Sequence, residues 1–296
     1  MFQKLTIICI LAALGLSAGG AIAAFEDVPA SPRARAMGEA GSAVVDGAYA
    51  TYLNPGHLGL TTQGSLAASY VQPFQLDFAK SYHLGAVIPV SPGNGAVGIS
   101  LNQFKVDYSD VRLMEETQIS LAYGNTLYQD MHSRIDLGGT VNMYHLKYAE
   151  TTSGLDPGND SAMGLDLGLL VTVHNRTRLG VMIKNLNNPN IGIDEEELAH
   201  RLIAGISYEP YEGVITSFEF DNELGQDTQY HGGIEMVVAQ GFALRAGVVT
   251  NPSKLTAGFG YTLDRFSLNY GYSTGGGTLE STHQFGVNIS WGGEAQ

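Results

Sequence analysis

The sequence predicts an all-β fold: a transmembrane, antiparallel up-and-down β-barrel of about 14 strands with a small N-terminal plug in its lumen. Three observations predict it. From Gly64 onward the chain falls into fourteen segments of period-2 alternation, the pattern of strands with two unlike faces. One face is apolar; the other is Gly, Ser, Thr and Asn with isolated charges, where a soluble sandwich would carry Lys and Glu. The connections between segments alternate short and long, as the hairpins of a bacterial single-chain barrel do. After residue 23 no run reaches about 18 consecutive apolar residues, so a span has to be made of strands closed on themselves, since open sheet edges do not occur in hydrocarbon. The alternative is a soluble up-and-down barrel or propeller.

Residues 1–23 read as a secretory signal peptide: Lys4, an apolar run from Leu5 to Leu16, and Ala21-Ile22-Ala23 as the cleavage site. A membrane helix is the competing reading, but the run is short of the roughly 20 residues a span needs. The single cysteine, Cys9, falls in this leader, so the mature chain is expected to have no disulfide and no thiol chemistry. Composition bounds the rest. With 15 Lys+Arg against 29 Asp+Glu the formal charge is −14, which argues against nucleic acid as a partner, because phosphate binding needs clustered cations. The 38 Gly and 15 Tyr in a chain only 15% charged point to β structure.

Residues 24–62 have neither strand nor helix period. Ala36, Gly38, Ala40, Gly41, Ser42 and Ala43 let the backbone pack closely against walls, and Asn54-Pro55-Gly56 is a turn signal. This segment reads as a plug whose charges, Arg33, Arg35, Glu39 and Asp46, exchange hydrogen bonds with lumenal charges on the segments between 133 and 250. Asn54 is expected to satisfy backbone groups that Pro55 cannot, and Gly56 to sit where a Cβ would strike the wall. The competing reading is a flexible tail.

The barrel, residues 63–296, is assigned strands at 64–72, 81–90, 94–104, 116–128, 133–148, 161–174, 177–187, 198–209, 212–222, 229–238, 241–250, 253–262, 265–274 and 282–291. In 133–145, Ile135, Leu137, Val141 and Met143 share one face and Arg134, Asp136, Thr140, Asn142 and Tyr144 the other. Short turns follow the even segments (91–94, 129–132, 173–177, 210–211, 239–240, 263–264) and longer loops most odd ones, including 105–115 and 188–197, which puts both termini on the periplasmic side. If Val173 faces Thr177, Asp166 lies opposite Lys184; if Val238 faces Phe242, Glu235 lies opposite Arg245; Arg201 meets Glu219 or Asp221. Lumenal charge pairs of this kind imply an interior crowded by side chains. Tyr70, Tyr82, Phe104, Tyr144, Tyr148, Tyr208, Tyr230, Tyr261, Tyr270, Tyr272 and Trp291 are candidates for interfacial girdles.

Chemistry is not written into the pattern. The eight histidines form no H-x-x-x-H spacing, so no metal site is expected; Asp194 to Glu197 lacks the spacing of a calcium loop and reads as a solvated acidic loop. Ser207, His200 and Asp221 have no spacing that supports a catalytic triad, and Gly275 to Gly277 precede no helix that would cradle a phosphate. No catalytic residue and no cofactor are assigned.

The string Arg35-Ala36, Gly38-Glu39-Ala40, Ala43, Asp46-Gly47-Ala48 and Asn54-Pro55 resembles the N-terminal signature of the FadL-like long-chain fatty acid transporter superfamily of outer-membrane barrels, departing from it at Gly56, where the family has Ala. The compact loops resemble its PorV/PorQ branch. That resemblance implies a bacterial outer membrane location, contact with its lipid, and a non-enzymatic role associated with protein secretion of the type IX kind, with secretion proteins as partners. The alternative it implies is passive transport of hydrophobic small molecules such as fatty acids, with Arg35, Gly38, Glu39, Asp46, Asn54, Pro55 and Gly56 as plug and gating residues.

Overall fold

The computed structural model describes residues 25, 28–90, 95–109, 111–150, 158–275 and 279–292. The leader with Cys9, the turn at 91–94 and Gly276 and Gly277 lie outside them. Strands β1 (Gly64–Gln72), β2 (Ala79–Pro89), β3 (Ala96–Tyr108), β4 (Val111–Gln129), β5 (Ser133–Tyr148), β6 (Asn159–Val173) and β7 (Thr177–Lys184) form the first half of a ring. Strands β10 (Arg201–Tyr211), β11 (Val214–Glu223), β12 (Gln229–Ala239), β13 (Phe242–Val249), β14 (Lys254–Leu263), β15 (Phe266–Ser273) and β16 (Thr282–Trp291) complete it. Between the halves, β8 (Asn190–Ile191) and β9 (Glu196–Glu197) make a two-stranded ribbon of their own. Each of the 14 ring strands pairs antiparallel with its neighbours, and β1 closes on β16 from Gly64 opposite Trp291 to Gln72 opposite His283. Closure removes the sheet edges that an open sheet would leave unpaired.

The two faces separate as alternation requires. Asp136, Thr140 and Asn142 of β5 are buried toward the lumen, whereas Val141 and Met143 between and beyond them are exposed on the outside. Leu84, Ile99, Leu121, Leu165, Phe218, Val248 and Val287 continue the outer apolar face around the ring. An apolar surface running round a whole barrel far exceeds the patch of a few hundred Å² that a soluble monomer exposes. It is the surface of a barrel that stands in hydrocarbon. No described helix is long and apolar enough to cross a membrane.

The strands are longer than alternation alone suggested at one hairpin and shorter at another. The expected loop 105–115 is ladder, with β3 and β4 paired out to Tyr108 opposite Val111; Arg112 bonds Asp107 at 2.9 Å and Glu115 at 2.8 Å, so cross-strand charges extend the ribbon beyond the apolar band. Conversely β7 stops at Lys184, because Asn185 takes φ of 53° and turns the chain inward, and β10 begins only at Arg201. The edge of β6 above that point is met by the loop, with Leu186 N donating to Leu165 O at 2.8 Å and Asn187 Nδ2 to Met163 O at 2.8 Å. Among the girdle candidates, Phe104, Tyr144 and Tyr148 are corrected: they share the strand parity of the lumenal Asn102 and Asn142 and face inward, Tyr144 being buried with its hydroxyl on Asn185.

Candidate functional site

The described residues before β1, from Phe25 onward, thread the lumen from the long-loop end to the short-turn end. It starts beside the mouths of β4 and β5, where Phe25 N donates to Glu116 Oε1 at 3.0 Å and its ring meets Tyr144 edge-on at 4.9 Å. Gln284 then donates to Pro29 O and Ala30 O at 2.9 and 2.8 Å. Ser31 caps a one-turn helix, Pro32–Ala36, by accepting from Ala34 N at 3.1 Å, with Pro32 in the first-turn place where a missing N–H costs nothing. Its hydroxyl in turn donates to Asp46.

That helix aims two arginines into the wall. Arg33 grips Glu235 of β12 through Nε and Nη2 at 2.8 and 2.7 Å, and Arg245 of β13, directly opposite Glu235 in register, reaches the same carboxylate at 2.6 Å. Asp46 lies 4.0 Å from Arg33, so two cations and two anions are buried together without net charge. Arg35 donates to Gln284 Oε1 at 2.6 Å and lies 3.6 Å from Glu39, which Lys254 approaches at 3.8 Å. Burial lowers the Arg35 guanidinium from its ordinary value, and Glu39 opposes that.

Backbone groups of the segment are answered just as fully. Gly38 has φ of +69° and lies so close to Gly232 O that a Cβ would be 2.4 Å from it; its N–H donates to Thr256 and its carbonyl accepts from His231 at 2.7 Å. Glu219 Oε2 accepts from Gly41 N, Ser42 N and Ser42 Oγ at 3.1, 2.7 and 2.5 Å. Short helical turns at Gly47–Tyr49, Ala50–Leu53 and Pro55–Leu60 follow. Asn54 holds them in place: its amide donates to Ser42 O at 2.8 Å and Leu169 O at 3.1 Å, and its Oδ1 accepts from Gly56 N at 2.9 Å, beside Pro55, which has no N–H to give. A Cβ at Gly56 would stand 3.0 Å from Leu170 N. His57 Nε2–H donates to Ser42 O at 2.8 Å; burial lowers this imidazole to about 4, so the ring is neutral at pH 7.

The wall makes room for this backbone with glycines. A Cβ at Gly138 would lie 2.2 Å from Pro55 O, at Gly180 2.1 Å from Ser42 O, at Gly233 2.3 Å from Met37 O and at Gly85 2.6 Å from Ala48 O. Glycines facing the lumen on successive strands thus form a belt against which the segment packs backbone to backbone, at the level where the barrel is filled.

Above the belt, toward the long loops, is a vestibule of about 80 Å³, partly open to solvent. Its walls carry Glu116, Asp166, Lys184 and Arg201, but each of these has a partner within the protein. On one side Tyr144, Leu146, Ile191 and Leu198 form a buried apolar cluster with Met114, Tyr148 and the ring of Phe25 packed on it. Of this cluster, Phe25, Tyr144 and Leu198 line the vestibule, while Leu146 and Ile191 are buried away from it.

Among the charges singled out from sequence, Glu235 and Arg245 meet directly, though a bulge sets Ala239 rather than Val238 opposite Phe242. Arg201 stands opposite Glu223 and bonds Asp221, while Glu219 serves the plug segment instead. Asp166 accepts from Asn142 at 2.7 Å and from Asn185 N at 2.8 Å; Lys184 lies over the Tyr52 ring at 4.1 Å. Ser207 donates to Ala43 O, so it too is a socket for the segment. Sequence reasoning passed over Gln284, Thr256, Ser69 and His231 as sockets, since they carry no motif; their lumenal parity was the one available signal. It also passed over the glycine belt, whose signal was a lumen-facing glycine on most strands.

No family model matches the chain, and no curated protein matches its sequence. Solved structures do. The barrel is similar to the Pseudomonas putida toluene transporter TodX, with a TM-score of 0.61 at 14% identity over 91% of this chain and 100% of that one. The fold is that of the FadL-like outer-membrane channels. A TodX monoaromatic hydrocarbon channel deltaS2 mutant gives a TM-score of 0.57 at 13% identity, covering 88% of this chain and 97% of that one. A Pseudomonas aeruginosa FadL homologue gives 0.57 at 12% identity, covering 89% and 98%.

Proposed function

We propose that this protein is a passive outer-membrane channel for hydrophobic small molecules, with the long loops facing outward. A guest enters the vestibule from the long-loop end, rests on the apolar side chains of Phe25, Tyr144 and Leu198, and passes when the plug segment rearranges. The observation that carries this reading is the vestibule itself, with the apolar side chains of Phe25, Tyr144 and Leu198 on its wall, above a lumen filled by a segment held by hydrogen bonds and ion pairs rather than by a core of its own. The similarity to channels whose names specify toluene and monoaromatic hydrocarbons supports it over the secretion-associated role that the PorV/PorQ resemblance implies.

Equilibrium binding with labelled long-chain fatty acid and labelled toluene, on the purified barrel in detergent, tests the reading. Saturable binding that weakens on Leu198→Asp is expected, because a charge on the vestibule wall adds a desolvation cost for an apolar guest. Absence of saturable binding by either probe would overturn it, and recovery of secretion proteins on pull-down would turn the assignment to the other role.

A further inference from the structure

We infer that the outer face of β2–β5, at the long-loop end, docks the phosphorylated head of an outer-leaflet glycolipid of the lipid A type, with an acyl chain laid in the groove beside it. This goes beyond the channel reading and shares with it only the outward orientation of the long loops. Lys4 lies in the leader, and Lys184 and Lys254 point into the lumen, at Tyr52 and Glu39. The remaining lysines, Lys80, Lys105 and Lys147, fall on one line: register sets Lys80 opposite Lys105, Lys105 opposite Glu115, and Glu115 opposite Lys147. They share the strand parity of Leu84, Leu101, Ile119 and Met143, which are exposed on the outside, so the line follows the upper margin of the apolar band. No lysine or arginine takes an outward place at the long-loop ends of β1 or of β10–β16. A chain of formal charge −14 thus gathers its outward lysines on one flank.

Stability of the ladder does not account for this line. Lys80 and Lys105 stand directly opposite each other, and like charges so placed weaken a sheet. Of the acidic groups around them, Asp107 and Glu115 are held by Arg112 at 2.9 and 2.8 Å, and Asp77 accepts from Gln72 at 3.1 Å. Lys105 reaches Glu115 only at 3.9 Å, and neither Lys80 nor Lys147 makes an ion pair among the described residues. An anion set between the two facing lysines turns their repulsion into attraction, and phosphate is an anion that lysine binds as a point charge. The place for the chain of the same lipid adjoins the line. A groove of about 470 Å³ runs over Ala68, Tyr70, Tyr82, Leu84, Leu101 and Val287. It exists because the outward residue of β1 at its centre is a small one: Ala68 stands between Leu84 of β2 and Val287 of β16. Tyr70 and Tyr82, opposite each other with rings 5.2 Å apart, flank it, and Lys105 lies over the Tyr82 ring at 5.7 Å. Charged head and apolar tail therefore meet one continuous surface, with Tyr82 as the wall they share.

Three lipids test the site. Saturable binding of fluorescent lipid A bearing its phosphates, to the purified barrel in nonionic detergent, is compared with that of the same lipid stripped of phosphate and with that of phosphatidylglycerol. Lipid A with its phosphates should bind best, and should lose affinity as salt is raised. Each lysine at a charged lipid surface is worth about fivefold in affinity, so the triple variant Lys80→Gln, Lys105→Gln, Lys147→Gln should bind about a hundredfold more weakly. Arg265→Gln, at a short turn on the other rim, should bind as the parent does. Ala68→Leu, which fills the groove, should weaken binding severalfold. Should the triple variant fail to fold, Lys80→Gln and Lys147→Gln singly should each lower affinity about fivefold. Parent affinity in the lysine variants, or equal affinity for lipid A with and without phosphate, would overturn the inference, and affinity unmoved by Ala68→Leu would take the groove out of the site. Tighter binding of phosphatidylglycerol than of lipid A would overturn it too, by fitting this rim to the inner leaflet. Toluene binding by the same preparations should be equal in parent and triple variant; its absence from both would strike the channel reading and leave the lipid result standing.

Discussion

At the scale of single residues, the plug is held by a few groups whose loss leaves something worse than a gap. Glu235 is the clearest case, because Arg33 and Arg245 both point at it with their side chains largely buried. Removing the carboxylate would leave two guanidinium groups facing each other out of water, and breaking a buried pair costs about 3–5 kcal/mol. Glu235→Ala should therefore lower the temperature at which the folded band on a gel converts to the unfolded one; a transition at the parent temperature would show that the cluster contributes nothing. Glycines test the same contact from the other side. Ala at Gly180 would put a methyl 2.1 Å from Ser42 O, at a cost of about 1–3 kcal/mol for overpacking. Ala at Gly139, where the nearest atom to a Cβ is 3.6 Å away, serves as its control. Single-channel conductance should rise for Gly180→Ala and stay level for Gly139→Ala; identical conductance in both would mean that the belt does not seat the segment.

At the scale of elements, the segment 31–60 and the wall depend on each other. Its helices are one or two turns long, too short to persist alone, and its buried apolar residues Ala48, Tyr49, Ala50 and Leu58 form a core with Ala67, Val87, Ala96 and Ala122 of the first four strands. Deleting residues 33–58 should raise conductance in planar bilayers and lower the heat resistance of the folded barrel, since Glu219 would lose its bonds to Gly41 and Ser42, Glu235 its bonds to Arg33 and Gln284 its bond to Arg35. Unchanged conductance and stability would deny the segment any role as a plug. The strands were legible in the sequence because side-chain period in a two-faced sheet is fixed at two, and a ladder pays that period out along β5 or β16 without interruption. The ends were less legible: in β3 and β4 charged pairs carried the ladder past the apolar band, and at Asn185 a positive φ stopped β7 early, neither of which alternation reports. Inside the lumen, charged residues such as Glu235 drew notice while Gln284 and Thr256 did not, although the neutral groups make contacts of the same length. What decides a socket is position opposite an unmet backbone or side-chain group, and position across 200 residues of chain is not a sequence pattern.

At the scale of the whole molecule, the arrangement joins an apolar exterior, a filled lumen and a one-ended vestibule. A closed ring of paired strands answers the backbone along its ladders, and the bulges in those ladders fall near strand ends, at Val106, Thr126, Tyr208 and Val237. Flux through such a body has to be governed by the plug and by what the vestibule accepts. The central claim is that hydrophobic small molecules cross by way of this lumen, and it is tested most directly by uptake across a lipopolysaccharide-bearing membrane, in bacterial cells that lack a channel of this fold. Cells producing the protein should accumulate labelled toluene faster than cells without it, and those producing Leu198→Asp should fall back toward the background. Equal uptake in cells with and without the folded protein would contradict the account.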